Sequence, residues 1–231
     1  MRVLFVFIIL PCMLLSQIPE SKRSKDVIKK HYPLLEKKFA ENNLKFGSSI
    51  FLRIFKEENY LEIWVKKDST YVLYKTYAIC YFSGGLGPKK KQGDSKSPEG
   101  FYFVKPKSLN PYSTFHLSFD TGYPNEYDRS HGYTGSALMV HGNCVSIGCY
   151  AMTDERIEEI YSIIQKAFEN GQSIIRMHIF PFKMTEKRMA KSKDSEYYAF
   201  WENIKDGYEY FEKNKVPPVI TVKNKKYVIS K

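Results

Sequence analysis

Apolar and polar positions recur in two rhythms along this chain, and the changes between them mark its elements. Near the N-terminus Ile28, Tyr32, Leu35 and Phe39 follow at spacings of four, three and four, the repeat of one helical face. Residues 20–43 therefore read as a helix, made basic by Lys22, Arg23, Lys25, Lys29 and Lys30, with Pro33 predicting a kink or split. That basic side reads as a solvated face or as a surface for an anionic wall. The rhythm then shortens. Residues 48–56, 60–67 and 70–82 are rich in Ile, Phe, Val, Tyr and Thr, and Glu57-Glu-Asn59 and Lys67-Asp-Ser69 divide them as turns. That pattern predicts an antiparallel meander. Residues 83–100 are polar, with five glycines and two prolines. A stretch this long inside a domain predicts a lid or binding loop.

Short strands are expected at Phe101–Val104, Thr114–Phe119 and Ser136–Val140, the last ending on His141, with a turn-rich segment over 120–130. Thr153 is a good N-cap for a helix carrying Ile157, Ile160, Tyr161, Ile164 and Phe168 on one face, and Gly171 stops it. A strand over 173–180, a second amphipathic helix marked by Tyr197, Trp201, Ile204, Tyr208 and Phe211, and a closing strand pair at 217–222 and 226–229 complete the chain. The expectation is one strand-dominated α+β domain over 48–231, preceded by a basic helical segment over 18–47.

Composition adds the compartment. Arg2 followed by the apolar run Val3–Leu15 reads as an export signal over residues 1–17, cut off or retained as an anchor. At thirteen residues the run is too short to span a membrane, which needs about 20. The mature protein is therefore expected in the periplasm or cell envelope. A formal net charge of +11 favours an anionic partner. No nucleic-acid motif is present, and no phosphate-loop pattern occurs in the glycine-rich stretch. The partner expected from charge is a polyanionic wall or membrane surface, not nucleic acid.

The chemistry concentrates in Met139-Val-His-Gly-Asn-Cys-Val-Ser-Ile-Gly-Cys-Tyr-Ala-Met-Thr-Asp154. A thiol becomes a strong nucleophile only as thiolate, and an imidazole nearby can take its proton. Cys149 is thus the candidate nucleophile and His141 its base. The dipole of the helix opening at Thr153 adds only about 0.3–1 kcal/mol, and Asp154 and Glu155 oppose it. The backbone amides of Gly148, Cys149, Ile147 and Gly142 are candidates for an oxyanion site. Ser146 reads as a turn hydroxyl, with a loop-orienting or substrate role as the alternative. Asn143, Asp120, Tyr123, Asn125 and His131 are candidate substrate contacts, and His116 and His178 read as core histidines. Cys144 and Cys149 stand at C-x4-C without a second ligand pair, so neither a metal nor a cofactor is expected. Cys80 and Cys144 either pair or stay as buried thiols, leaving Cys149 free.

Val140-His141-Gly142 followed by Ser146-Ile-Gly-Cys149 resembles the L,D-transpeptidase catalytic domain of YkuD type. Upstream, Gly85-Leu-Gly-Pro-Lys and Gly93-Asp-Ser-Lys-Ser-Pro-Glu-Gly-Phe-Tyr102 resemble that family's loop before its next core strand. The resemblance covers roughly residues 48–180 and implies a β-rich catalytic domain with flanking helices. It implies a cysteine enzyme of peptidoglycan stem peptides, in which an acyl-enzyme on Cys149 is resolved by an amine or by water. Two positions depart from the common pattern: Ile147 replaces a second histidine, and Ala151 replaces an Arg or Asn. Phe119-Asp-Thr-Gly-Tyr-Pro-Asn125 and Met177-His-Ile-Phe-Pro-Phe182 resemble the YafK-like branch instead. That branch adds hydrolysis, including release of a wall-attached protein, to the expected activities. A non-catalytic wall-binding module is the rival reading from another class.

Overall fold

Two five-stranded sheets carry the chain, and it crosses from one to the other within two residues. The structure is a computed structural model that describes residues 18–230; the export segment expected over 1–17 lies outside them. After helix α1 (Lys22–Glu41), strands β1 (Ile50–Phe55), β2 (Tyr60–Lys67) and β3 (Thr70–Ala78) form the expected antiparallel meander. The run expected to continue to residue 82 breaks at its end. Ile79 donates to the Asn59 carbonyl at 2.7 Å, whereas Cys80 donates to the Ala151 carbonyl at 2.8 Å. Strand β4 (Tyr81–Phe82) therefore belongs to the second sheet.

Next come β5 (Gly100–Val104), β6 (Leu109–Asn110), β7 (Ser118–Asp120), the short helix α2 (Glu126–Ser130), β8 (Met139–His141) and β9 (Tyr150–Ala151). Helix α3 (Asp154–Glu169) leads to β10 (Ile175–Phe180), then to α4 (Glu186–Ala190), α5 (Tyr198–Asn214) and the hairpin β11 (Val219–Lys223) and β12 (Lys226–Ser230). The first sheet runs β3-β2-β1-β10-β5 and the second β4-β9-β8-β7-β6. The strand expected over 114–119 is real only from Ser118, and residues 111–117 form a loop.

The first sheet is covered on both faces, which is why every residue of β1 is buried. Ile50, Leu52 and Ile54 join the main core with α3's Ile157, Ile160, Tyr161, Ile164 and Phe168, the stripe read from the sequence. On the other face Phe51 and Phe55 pack towards α5. Arg53 lies between them, its charge met by Glu62 at 2.7 Å and Glu212 at 2.6 Å.

Helix α1 is continuous through Pro33, so of the expected kink or split the split is corrected. Its proline is exposed, while Val27, Leu35 and Phe39 enter the core shared with α3. Burying such side chains contributes about 1.5–3 kcal/mol each, enough together to outweigh a proline cost of about 3 kcal/mol. Val27, not Ile28, is the buried apolar residue of the first half. The segment is therefore packed into the body of the fold.

The loop over 83–99 is a pinned wall, which sets aside the lid and leaves the binding loop of the two expectations. Lys56 and Glu99 form a fully buried ion pair at 2.9 Å. The Lys56 ammonium also donates to the Gly87 and Ser97 carbonyls at 3.2 and 3.1 Å. Asp94 accepts from Lys89 at 2.7 Å and from the amides of Lys90, Lys91 and Lys96. Those partners hold the Asp94 carboxyl down to about 2, against burial, which pushes it up. A moving lid could not keep these buried charges paired.

Candidate active site

β8 and β9 pair in parallel, Val140 with Tyr150 and His141 with Ala151. Side chains alternate along a strand, and residues paired across it point the same way. Val140 and Tyr150 are fully buried in the core. Met139, His141, Cys149 and Ala151 therefore share the opposite face. Cys149, one residue before β9, lies a diagonal step from His141 and level with Met139, whose amide donates to its sulfur at 3.4 Å. The thiol donates to the Ala137 carbonyl at 3.6 Å. Among the described residues, no hydrogen bond joins thiol and imidazole in this resting arrangement.

The imidazole of His141 has a defined tautomer. Its Nδ1 lies 2.6 Å from the Gly142 carbonyl oxygen. A carbonyl only accepts, so Nδ1 carries the proton and Nε2 offers a lone pair. The Phe115 ring stacks on the imidazole, centroids 4.6 Å apart and planes 27° apart. Burial draws the His141 pKa below the ordinary histidine value, and the Gly142 carbonyl opposes this in part. Burial pushes the Cys149 thiol up, the Met139 amide pulls it down, and the charges of Asp120 and Lys89 act in opposite directions, up and down. Both groups are consequently neutral near pH 7: a protonated thiol beside a base with a free lone pair.

The connection between them is held in an unusual backbone conformation. Asn143 and Cys144 both have positive φ, 67° and 44°, which costs non-glycine residues energy. The Asn143 amide donates to Asp154 Oδ1 at 2.8 Å and the Cys144 amide to the Met152 carbonyl at 3.1 Å. Cys144 is disulfide-bonded to Cys80, so pairing is the realised alternative and Cys149 is the free thiol. Asp154, in the first turn of α3, reaches this loop because residue 142 is glycine: a Cβ there would stand 2.5 Å from its Oδ1.

Hydroxyls from two loops fix the backbone around Cys149. Ser146 and Ser97 donate to the Cys149 carbonyl at 2.8 and 3.2 Å. Ser83 accepts from the Gly148 amide at 2.6 Å and donates to the Ser95 carbonyl at 2.6 Å. Ser146 is thus a loop-orienting residue. The expectation for two oxyanion donors is corrected here: the Gly148 amide is engaged by Ser83, and the Gly142 amide by the Phe115 and Leu117 carbonyls at 3.0 and 3.2 Å. Among the described residues, the Ile147 and Cys149 amides have no acceptor, and they remain as donors.

Three substrate candidates move into structural roles. Asn125 caps α2, and its amide nitrogen donates to the Phe101 carbonyl and the Tyr227 hydroxyl at 2.8 and 2.7 Å. His131 closes the same helix, with Nδ1 donating to the Tyr127 carbonyl at 2.9 Å. Tyr123 is buried and donates to the Thr134 carbonyl at 3.1 Å. Asn143 stays exposed beside the site. Asp120 sits on β7 opposite Met139, hence on the thiol's face, with one oxygen accepting from the Gly122 amide at 2.7 Å. His178 is a core histidine among Phe51, Phe101 and Phe180, as expected. His116 is not: it is partly exposed and bound to Glu158 at 2.9 Å. Sequence reading missed Phe115, Ser83 and Ser97. The composition of 83–100 signalled a functional loop, but which hydroxyls meet Cys149 and Gly148 depends on contacts 52 and 65 residues away in sequence.

Residues 50–175 match the family model described as the L,D-transpeptidase catalytic domain, YkuD. The chain is 42% identical over 228 residues to YafK of Escherichia coli (strain K12), a provisionally assigned L,D-transpeptidase, covering 99% of this chain and 89% of that protein. YafK of Escherichia coli O157:H7 matches to the same extent. Among solved structures, the helical cell shape determining protein Pgp2 from Campylobacter jejuni aligns at a TM-score of 0.46 with 18% identity, covering 82% of this chain and 80% of that one.

Proposed function

Since this chain belongs to the L,D-transpeptidase catalytic-domain family, we propose that it is an exported cysteine enzyme that transfers acyl groups from peptidoglycan stem peptides. The reading rests on one observation above the others. The free thiol of Cys149 shares a sheet face with His141, whose Nε2 lone pair is kept available by the Nδ1–H bond to Gly142.

In the proposed reaction a stem peptide enters the face occupied by Met139, His141 and Cys149. The thiol turns from the Ala137 carbonyl to Nε2, which takes its proton as the sulfur attacks the scissile carbonyl. Negative charge builds on the carbonyl oxygen, where the unengaged Ile147 and Cys149 amides can donate to it. The imidazolium returns the proton to the departing amine, leaving an acyl group on sulfur. An amine from a second stem forms a cross-link, and water gives hydrolysis, including release of a wall-attached protein. The same base activates either acceptor.

The experiment is incubation of purified protein with disaccharide-tetrapeptides and with cross-linked wall, products followed by mass spectrometry. The Cys149→Ala variant is expected to be inactive, and wild type to show a mass increase on Cys149. Full turnover by Cys149→Ala would end the reading. Cross-linked against shortened products separate transfer from hydrolysis.

A further inference from the structure

The loop 111–117 between β6 and β7 is held from three directions. From the N-terminal segment, Arg23 donates to the Ser113 and His116 carbonyls at 2.9 and 2.5 Å, and Ser21 to the Pro111 carbonyl at 2.9 Å. The Tyr112 hydroxyl donates back to the Glu20 carbonyl at 2.7 Å. From α3, Glu158 holds His116 at 2.9 Å and at the same time binds Lys30 and His31 of α1 at 2.8 and 2.9 Å. From the site itself, the Gly142 amide donates to the Phe115 and Leu117 carbonyls. At the tip of this strap the Phe115 ring lies on the His141 imidazole.

We propose that Phe115 is a positioning residue for His141 and that Arg23, from α1, is the anchor that keeps it in place. The N-terminal helix thereby becomes part of the catalytic machinery. The inference rests on the proposed role of His141 as base, and it goes further in saying what keeps that base competent.

The ring acts in two ways. It covers one face of the imidazole, so water cannot solvate an imidazolium there and the neutral form is favoured. It also blocks rotation of the imidazole away from Gly142, which would exchange the nitrogens. The charged or titratable groups around His141 come from several elements: Cys149 and Asp120 on its own sheet face, Asp154 and Glu158 from α3, His116 on the strap, and Lys89 from the 83–99 loop. For His141 itself, burial and the Gly142 carbonyl are the forces that act. Removing the ring should therefore change its protonation through solvation, with no charge altered.

The test is an NMR pH titration of the His141 ring protons in the full chain, assigned by comparison with His141→Gln. Phe115→Ala is expected to raise the midpoint by at least about half a unit, equivalent to a roughly threefold change in protonation. Arg23→Met should shift it the same way by less, since it loosens the strap without deleting the ring. Turnover in both should fall most on the acid side, with kcat more affected than KM. Phe115→Leu, which keeps apolar cover, should restore most of the midpoint and guards against a folding artefact. A purely structural strap would lower thermal stability and leave the midpoint of the folded protein unmoved. An unmoved midpoint in Phe115→Ala, or one unmoved in Arg23→Met, overturns the proposal. The titration needs no substrate, so its failure is distinct from failure of the enzyme reading, which Cys149→Ala decides.

Discussion

Glu99→Gln tests how a buried charge pair that does not touch the thiol keeps the site in shape. The Glu99 carboxylate accepts from Lys56 at 2.9 Å, the Gly87 amide at 2.6 Å and the Trp201 indole at 2.9 Å, and neither ion-pair side chain is exposed. Glutamine keeps one acceptor oxygen and replaces the other with a donor, so at least one of those three donors is left facing an N–H group. An unsatisfied buried donor costs about 1–3 kcal/mol. The Lys56 ammonium also loses its counter-charge, and breaking a buried pair from one side typically costs about 3–5 kcal/mol. The larger figure contains the smaller, so the expected loss is about 3–5 kcal/mol. A domain of ordinary stability, about 5–15 kcal/mol, would stay folded but barely at the lower end.

The deficit should depend on pH in a defined direction. Burial draws the Lys56 pKa below the ordinary lysine value, while Glu99 holds it up. Below that ordinary value the unfolded chain binds more protons than the folded one, so this lysine makes stability rise with pH. Losing Glu99 extends that window downward, because nothing then opposes burial. The difference between wild type and variant is therefore expected to narrow as pH rises towards the ordinary lysine value. The assay is urea unfolding at several pH values, followed by tryptophan fluorescence; Trp201 touches the mutated group. A loss below about 1 kcal/mol, or a deficit that stays constant or widens with pH, would refute the reasoning. Lys56→Met combined with Glu99→Leu should recover only part of the stability, since it removes the unpaired charge but leaves the Gly87 amide and the Trp201 indole without their acceptor. The single variant should also alter the alkylation rate of Cys149, because the pinned loop carries the Ser83 and Ser97 hydroxyls that fix its backbone.

Two other predictions address the site directly. Asp120 raises the Cys149 pKa from the same sheet face, so Asp120→Asn should make the thiol more acidic and speed its reaction with iodoacetamide at pH 7.5 roughly two- to threefold; an unchanged or slower rate would contradict the placement. The Cys80–Cys144 disulfide closes a separation of 64 residues, worth about 4 kcal/mol of unfolded-chain entropy. The double replacement by Ala should lower the unfolding free energy towards that amount without reductant, and added reductant should then change nothing further.

Much of this molecule was legible in its order of residues. Helix α3 was readable from its Thr153 cap, its isoleucine stripe and Gly171, because cap and stripe are local properties of consecutive residues. The meander was readable for the same reason, and so was the closing hairpin. That His141 and Cys149 would return to one sheet face was foreseeable because only seven residues separate them, and a strand, a turn and a return offer few alternatives. What adjoins them was not. Pro33 signals a helix break, yet the core contacts of Leu35 and Phe39 outweigh it. Gly148 and Gly142 look like free oxyanion donors, but Ser83 and the Phe115 and Leu117 carbonyls engage their amides. Asn125 and His131 look like surface ligands, but the chain end at Tyr227 and the helix at Tyr127 claim their polar atoms. Local sequence decides which groups can do chemistry, since side-chain type and short spacing are written there. Which donors remain unengaged, and what stacks on His141, depends on partners brought from tens of residues away, and only packing of the two sheets against α1 and α3 chooses them.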